Sequence, residues 1–131
     1  MWLIIMKNNK NSELLWAKHK YEVMWHSQKY YLSIREMLKS PVTLDEIESE
    51  INKAKQITPT KGSIINTYDH MWGYFKKISD KEEKTTYLLL KDQFLNDNIE
   101  PKELLHFIKL LSEKYQTNYI LNSTIISELE I

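Results

Sequence analysis

The chain has 131 residues, 18 lysines and arginines against 18 acidic residues, four histidines and no cysteine. That length predicts one domain able to bury a core unaided, and the missing cysteines exclude iron–sulfur clusters, thiolate zinc sites, cysteine nucleophiles and disulfide scaffolds built from this chain. Two glycines and three prolines argue against glycine-rich phosphate loops and turn-rich all-β folds.

The first residues contain the longest wholly apolar run, Trp2 to Met6. It falls far short of the roughly 20 residues a membrane span needs, and no cleavage-type signal follows it. A soluble, cytoplasmic protein with no membrane partner is expected. Met6 is a second candidate start, and residues 1–11 read as a flexible N-terminal extension ahead of a single domain over 12–131.

Helix periodicity sets in near Ser12 and persists to about Lys39, where Ser40-Pro41 stops it because the residue before proline avoids the α region. Thr43 followed by Glu46 reads as a capping box opening a second helix to about Ile57. Its Asp45, Glu46 and Glu48 suit the positive end of a helix. After the loop Thr58-Pro59-Thr60-Lys61-Gly62, a third helix is predicted over 63–78. Ser79 and Glu82 read as a second capping box, opening a helix to about Asn96. The turn Asn96-Asp97-Asn98 follows, and Pro101 suits the first position of a fifth helix to Tyr115. A short helix over 118–129 closes the chain. The pattern predicts a compact all-α bundle of five to six helices around a central N-terminal helix.

Two apolar stripes on that first helix explain why it should be central. One carries Leu14, Ala17, Tyr21, Met24, Trp25 and Leu32. The other carries Trp16, His19, Val23, His26, Tyr30, Ile34 and Met37, at spacings of three and four. On the third helix Ile64, Tyr68, Met71, Trp72, Phe75 and Ile78 form the apolar stripe, while Asn66, His70, Gly73 and Lys77 form a polar one. A mid-helix glycine costs about 1 kcal/mol relative to alanine, so Gly73 is expected at the closest approach of the first and third helices. That packing would gather His19, His26, His70 and Asn66 in one place.

Such a gathering admits a catalytic or small-ligand site lined by His19, His26, His70 and Asn66, equally satisfied structural histidines. No His-x-x-x-His pair, Glu-x-x-His pair or carboxylate in register supports a metal, so neither metal nor cofactor is expected. His106, among Leu104, Leu105, Phe107, Ile108 and Leu111, reads as an edge-of-core histidine.

Charge is uneven along the chain. Residues 1–39 hold seven basic groups against three acidic, residues 40–78 hold five of each, and residues 79–131 hold six against ten. An anionic partner would therefore meet the N-terminal helix, with the acidic half turned away. Aromatic residues interleave with lysines there (Lys18, Tyr21, Lys29, Tyr30, Tyr31), a mixture suited to base stacking beside phosphate contacts.

Several of these segments carry a resemblance. Trp16-x-x-His19-Lys20-Tyr21 followed by His26-Ser27 resembles the opening motif of the YbgA-like bacterial domains, a family of unknown function. The run Asn66-x-x-x-His70-x-x-Gly73-Tyr74-Phe75-Lys76 is similar to that family's most distinctive stretch. Glu83-Lys84 and Asn118-Tyr119-Ile120-Leu121-Asn122 fit the same pattern, so the likeness extends over about residues 13–126. Two departures stand out: the segment before Pro101 is shorter than usual, and the family's Pro-rich ending is missing.

Members of that family often follow a cysteine-bearing desulfidase domain that removes sulfur from thiolated uracil, the helical part being the presumed RNA-binding half. The resemblance thus implies a non-catalytic accessory module for tRNA or another structured RNA, with a separate desulfidase protein as partner. Its matched positions are His19, Lys20, His26, Asn66, His70, Tyr74 and Lys76. Joined to the charge pattern, they give an expected RNA surface of Lys18, Lys20, Lys29, Tyr30, Tyr74, Lys76 and Lys77. A helical protein-interaction domain and the histidine-lined catalytic site stand as the alternatives.

Overall fold

The computed structural model describes the backbone of residues 2–130 and the side chains of residues 10–130. Its described residues form eight helices and no strand: α1 (Trp2–His26), α2 (Gln28–Met37), α3 (Leu44–Lys55), α4 (Lys61–Trp72), α5 (Lys81–Leu95), α6 (Pro101–Lys114), α7 (Asn118–Leu121) and α8 (Thr124–Ser127). The all-α expectation therefore holds, with a higher helix count.

The extra helices come from two breaks that periodicity concealed. Ser27 adopts an extended conformation (φ −160°, ψ 113°) and its hydroxyl accepts from the Tyr30 amide at 3.2 Å. This N-cap divides the predicted 12–39 helix into α1 and α2. The apolar rhythm continues across the break because both helices face one core. Near the C-terminus Ser123 is extended as well, so the predicted 118–129 helix is the two four-residue turns α7 and α8. At the other end α1 begins at Trp2, continuing through the residues read as an extension.

Two further boundaries move. Thr60 caps α4, with Ser63 closing a reciprocal box, so α4 starts inside the predicted loop. It stops at Trp72, and residues 73–78 form turns instead of a last helical stretch. The cap of α5 is Asp80 with Glu83, one residue on from the predicted Ser79–Glu82 pair. Thr43 caps α3 as expected, accepting from the Glu46 amide at 3.1 Å.

The two stripes of α1 feed two cores. Tyr21, Met24 and Trp25 enter the larger, with Tyr68, Met71, Trp72 and Phe75, Leu104, Ile108 and Leu111, and Ile120 and Ile126. Trp16 and Val23 enter the smaller, with Ile34 of α2 and Ile47, Ile51 and Ala54 of α3. Each fully buried side chain of this size contributes about 1.5–3 kcal/mol. Not all stripe positions are buried: Leu14 is 63% exposed, Leu32 50% and Ile78 55%. Leu32 lies past the end of α1 and Ile78 past the end of α4, where the predicted straight helices do not continue.

Gly73 is not a packing contact between helices. It is exposed at the C-terminal cap of α4 with φ −52°, and an added Cβ would meet only the local carbonyls of His70 and Asp69, at 3.1 and 3.8 Å. The contact of α1 with α4 is real, but larger side chains make it.

Candidate nucleic-acid interface

Three parts of the chain deliver the side chains of a cluster on the outer surface. On α1, burial of Tyr21 at 5% exposure fixes its neighbour Lys20 at the rim. After α4, fully buried Phe75 anchors the turn, which leaves the adjacent Tyr74 outward and 42% exposed. Beyond α6, Gln116 takes a left-handed conformation (φ 51°) that reverses the chain into α7. Ile120 then enters the core and Tyr119, 100° round the turn, stays 40% exposed.

These side chains interlock. The Tyr74 and Tyr119 rings stack with centres 5.8 Å apart and planes 19° apart. Tyr21 meets Tyr119 edge-on at 6.5 Å, and its hydroxyl donates to the Tyr74 hydroxyl at 3.4 Å. The Lys20 ammonium lies 5.1 Å from the ring centres of both Tyr21 and Tyr119, a cation–π geometry. Burial above all, then the Tyr74 hydrogen bond, pushes the Tyr21 phenol up from its ordinary value. The Tyr21 ring therefore stays neutral at physiological pH.

Beside Tyr119 opens a groove of about 590 Å³ lined by Leu14, Ala17, Lys18, Tyr119, Asn122 and Ser127. Leu14 and Ala17 sit one helical turn apart on α1, which gives the groove an apolar floor. Lys18 stands at its edge, exposed. Lys76 and Lys77, also exposed, follow Tyr74 in the same turn.

Ion pairing distinguishes some lysines from others. Lys39, Lys53, Lys55, Lys61, Lys91, Lys102 and Lys114 all pair with carboxylates. Lys18, Lys20, Lys29, Lys76 and Lys77 have no carboxylate within pairing distance among the described residues, and neither do Lys10, Lys81, Lys84 and Lys109. The positive groups expected to meet an anion are thus among those whose charge is not offset by a nearby carboxylate.

Lys29 and Tyr30 belong elsewhere. They lie on α2, beside Ser33 and a small cavity of about 160 Å³, and half-buried Tyr30 packs against the smaller core. The break at Ser27 gives that helix its own course, and among the described residues no hydrogen bond, ion pair or ring contact joins these two to the Lys20 cluster.

The histidines do not converge either. His19 faces α8: its Nδ1 lies 3.5 Å from the Thr124 hydroxyl and 3.9 Å from the Glu22 carboxylate. His26 uses Nδ1 on the Ile57 carbonyl at 2.8 Å. His70 is exposed and turns back onto the Asn66 carbonyl of its own helix at 2.7 Å. Asn66 and His26 do share a cleft of about 490 Å³, where the Asn66 amide donates to Gln28 at 2.7 Å. Each ring thus has a separate local partner, and no cluster of three metal-ligating side chains occurs among the described residues. His106 is half-buried on α6, as an edge-of-core residue should be.

Sequence reasoning missed Tyr119, Asn122 and Leu14 as site residues. Tyr119 and Asn122 were visible in the C-terminal motif but carried no chemical signal of their own. Leu14 was assigned to a buried stripe, because periodicity marks a face without saying whether anything covers it.

The chain belongs to the DUF1722 family, described as a protein of unknown function, whose model matches residues 20–129. No curated protein matches it. No solved structure matches it. Among the described residues, no helix is long and apolar enough to cross a membrane.

Proposed function

We propose that this DUF1722 domain is a non-catalytic RNA-binding module, with tRNA as its first candidate ligand. One observation carries the reading. An exposed tyrosine stack with Lys20 over its ring is flanked by Lys18, Lys76 and Lys77, and none of these four lysines is offset by a carboxylate among the described residues. Phosphates supply affinity to such a surface and exposed rings supply stacking. The resemblance to YbgA-like domains extends the proposal to its setting, beside a separate protein that removes sulfur from thiolated uridine, in the cytoplasm.

Binding of unmodified tRNA, measured by fluorescence anisotropy at low salt, tests this. The affinity should fall with salt at a slope of about −2 to −4.5, since three to five phosphate contacts each contribute about −0.7 to −0.9. Lys20→Glu combined with Lys76→Glu should remove most binding at unchanged helical content. Lys102→Glu, whose lysine already pairs with Glu100 at 3.4 Å, should do little. Undetectable binding at low salt, or equal loss in the control, would reject the reading.

A second reading, a helical protein-interaction domain, draws on Leu88, Leu89 and Leu95 of α5 and Leu110 of α6, exposed by 61, 52, 46 and 63%. It takes first place if tRNA does not bind.

A further inference from the structure

We infer that the groove beside Tyr119 receives one unpaired RNA nucleotide, so that the domain grips single-stranded loops or ends by a base and not by phosphates alone. The inference rests on the RNA-binding reading and adds to it a specific seat and a class of substrate.

Four features of the groove fit a splayed-out nucleotide. Its volume, about 590 Å³, lies within the roughly 300–1,000 Å³ of small-molecule sites. Leu14 and Ala17 offer an apolar floor for a base face, and Leu14 is 63% exposed with no core to explain it. Tyr119 walls the groove with a ring braced by stacking on Tyr74 at 5.8 Å and by the edge of Tyr21 at 6.5 Å. A braced ring loses little freedom when a base stacks on it. Asn122, exposed on the same wall, carries both a donor and an acceptor for a base edge.

Charge decides the occupant. Lys18 lines the groove and Lys20 stands over Tyr119, which suits the phosphate that accompanies every nucleotide. A purely apolar ligand would leave Asn122 and both ammonium groups unused. A duplex would keep its base faces stacked away from Tyr119.

Fluorescein-labelled decauridylate and an abasic ribose-phosphate decamer of equal phosphate number provide the test, because they differ only in having bases. Decauridylate should bind the parent protein at least about fivefold more tightly, and Tyr119→Ala should erase that advantage by weakening it about 5- to 150-fold. Tyr119→Phe, which keeps the ring, should bind like the parent. Should Tyr119→Ala fold poorly by circular dichroism, Asn122→Ala serves in its place, with a several-fold loss for decauridylate and none for the abasic strand. Equal affinity for the two strands, or a folded Tyr119→Ala that binds like the parent, overturns the groove while leaving charge-driven RNA binding intact. Failure of the parent to bind either strand or tRNA overturns both.

Discussion

Glu22 of α1 ties three elements together through one carboxylate. The Thr124 hydroxyl of α8 donates to it at 2.7 Å, Lys55 of α3 lies 3.4 Å away, and His19 lies 3.9 Å away on its own helix. His19 foremost, then Thr124 and Lys55, outweigh the opposing effect of burial and hold the carboxyl at about 2, below its ordinary 4.5. A depressed acid stabilises the folded state fully above its unfolded pKa, and the contribution is lost as pH falls toward the folded one. The window here runs from about pH 5 down to about pH 2. Thermal melts should show Glu22→Gln less stable than the parent at pH 7, with the gap closing across that window. A gap independent of pH would show that the carboxylate's charge is not what joins α8 and α3 to α1. His19 thus has a structural task, which its position in an apolar stripe alone did not reveal.

At the level of single helices, the start of α5 shows how small a sequence ambiguity matters. Ser79-Asp80 followed by Glu82-Glu83 offers two overlapping capping boxes, and spacing alone does not choose between them. The structure takes Asp80 with Glu83, whose side chain accepts from the Asp80 amide at 2.9 Å and whose amide donates to Asp80 at 2.8 Å. Tertiary contacts make the choice: Glu83 also accepts from the Tyr115 hydroxyl at 2.5 Å and the Lys114 ammonium at 2.9 Å, both on the end of α6. Those donors, Tyr115 first, hold its carboxyl at about 2. Asp80→Ala should therefore cost about 0.5–2 kcal/mol in urea denaturation, and exposed Glu82→Ala should stay within about 0.5 kcal/mol. The reverse order would place the cap where the sequence first indicated it. Ser27 poses the same problem in another form, since its capping role was hidden by an apolar rhythm that both flanking helices share.

Across the whole molecule, the larger features were legible and the local ones were not. Two stripes on α1 announced two cores, and both exist, because burying two faces of one helix needs partners on both sides. Gly73 misled, since a glycine signals either close approach or a helix end, and only the three-dimensional course of α4 decides between them. Lys18, Lys20, Tyr74 and Lys76 were identified from charge and motif, yet Tyr119, which touches Lys20 and Tyr74 and shares a groove with Lys18, comes from the far end of the chain and nothing local announced it. RNA binding as proposed puts the RNA on this one face and not on the acidic half. Amide chemical shifts of the isotopically labelled protein during a titration with tRNA test it most directly. Shifts or broadening should concentrate at residues 14–20, 73–77 and 118–122, with α5 and α6 unmoved; perturbation centred on α5 and α6, or none anywhere at low salt, would rule this face out.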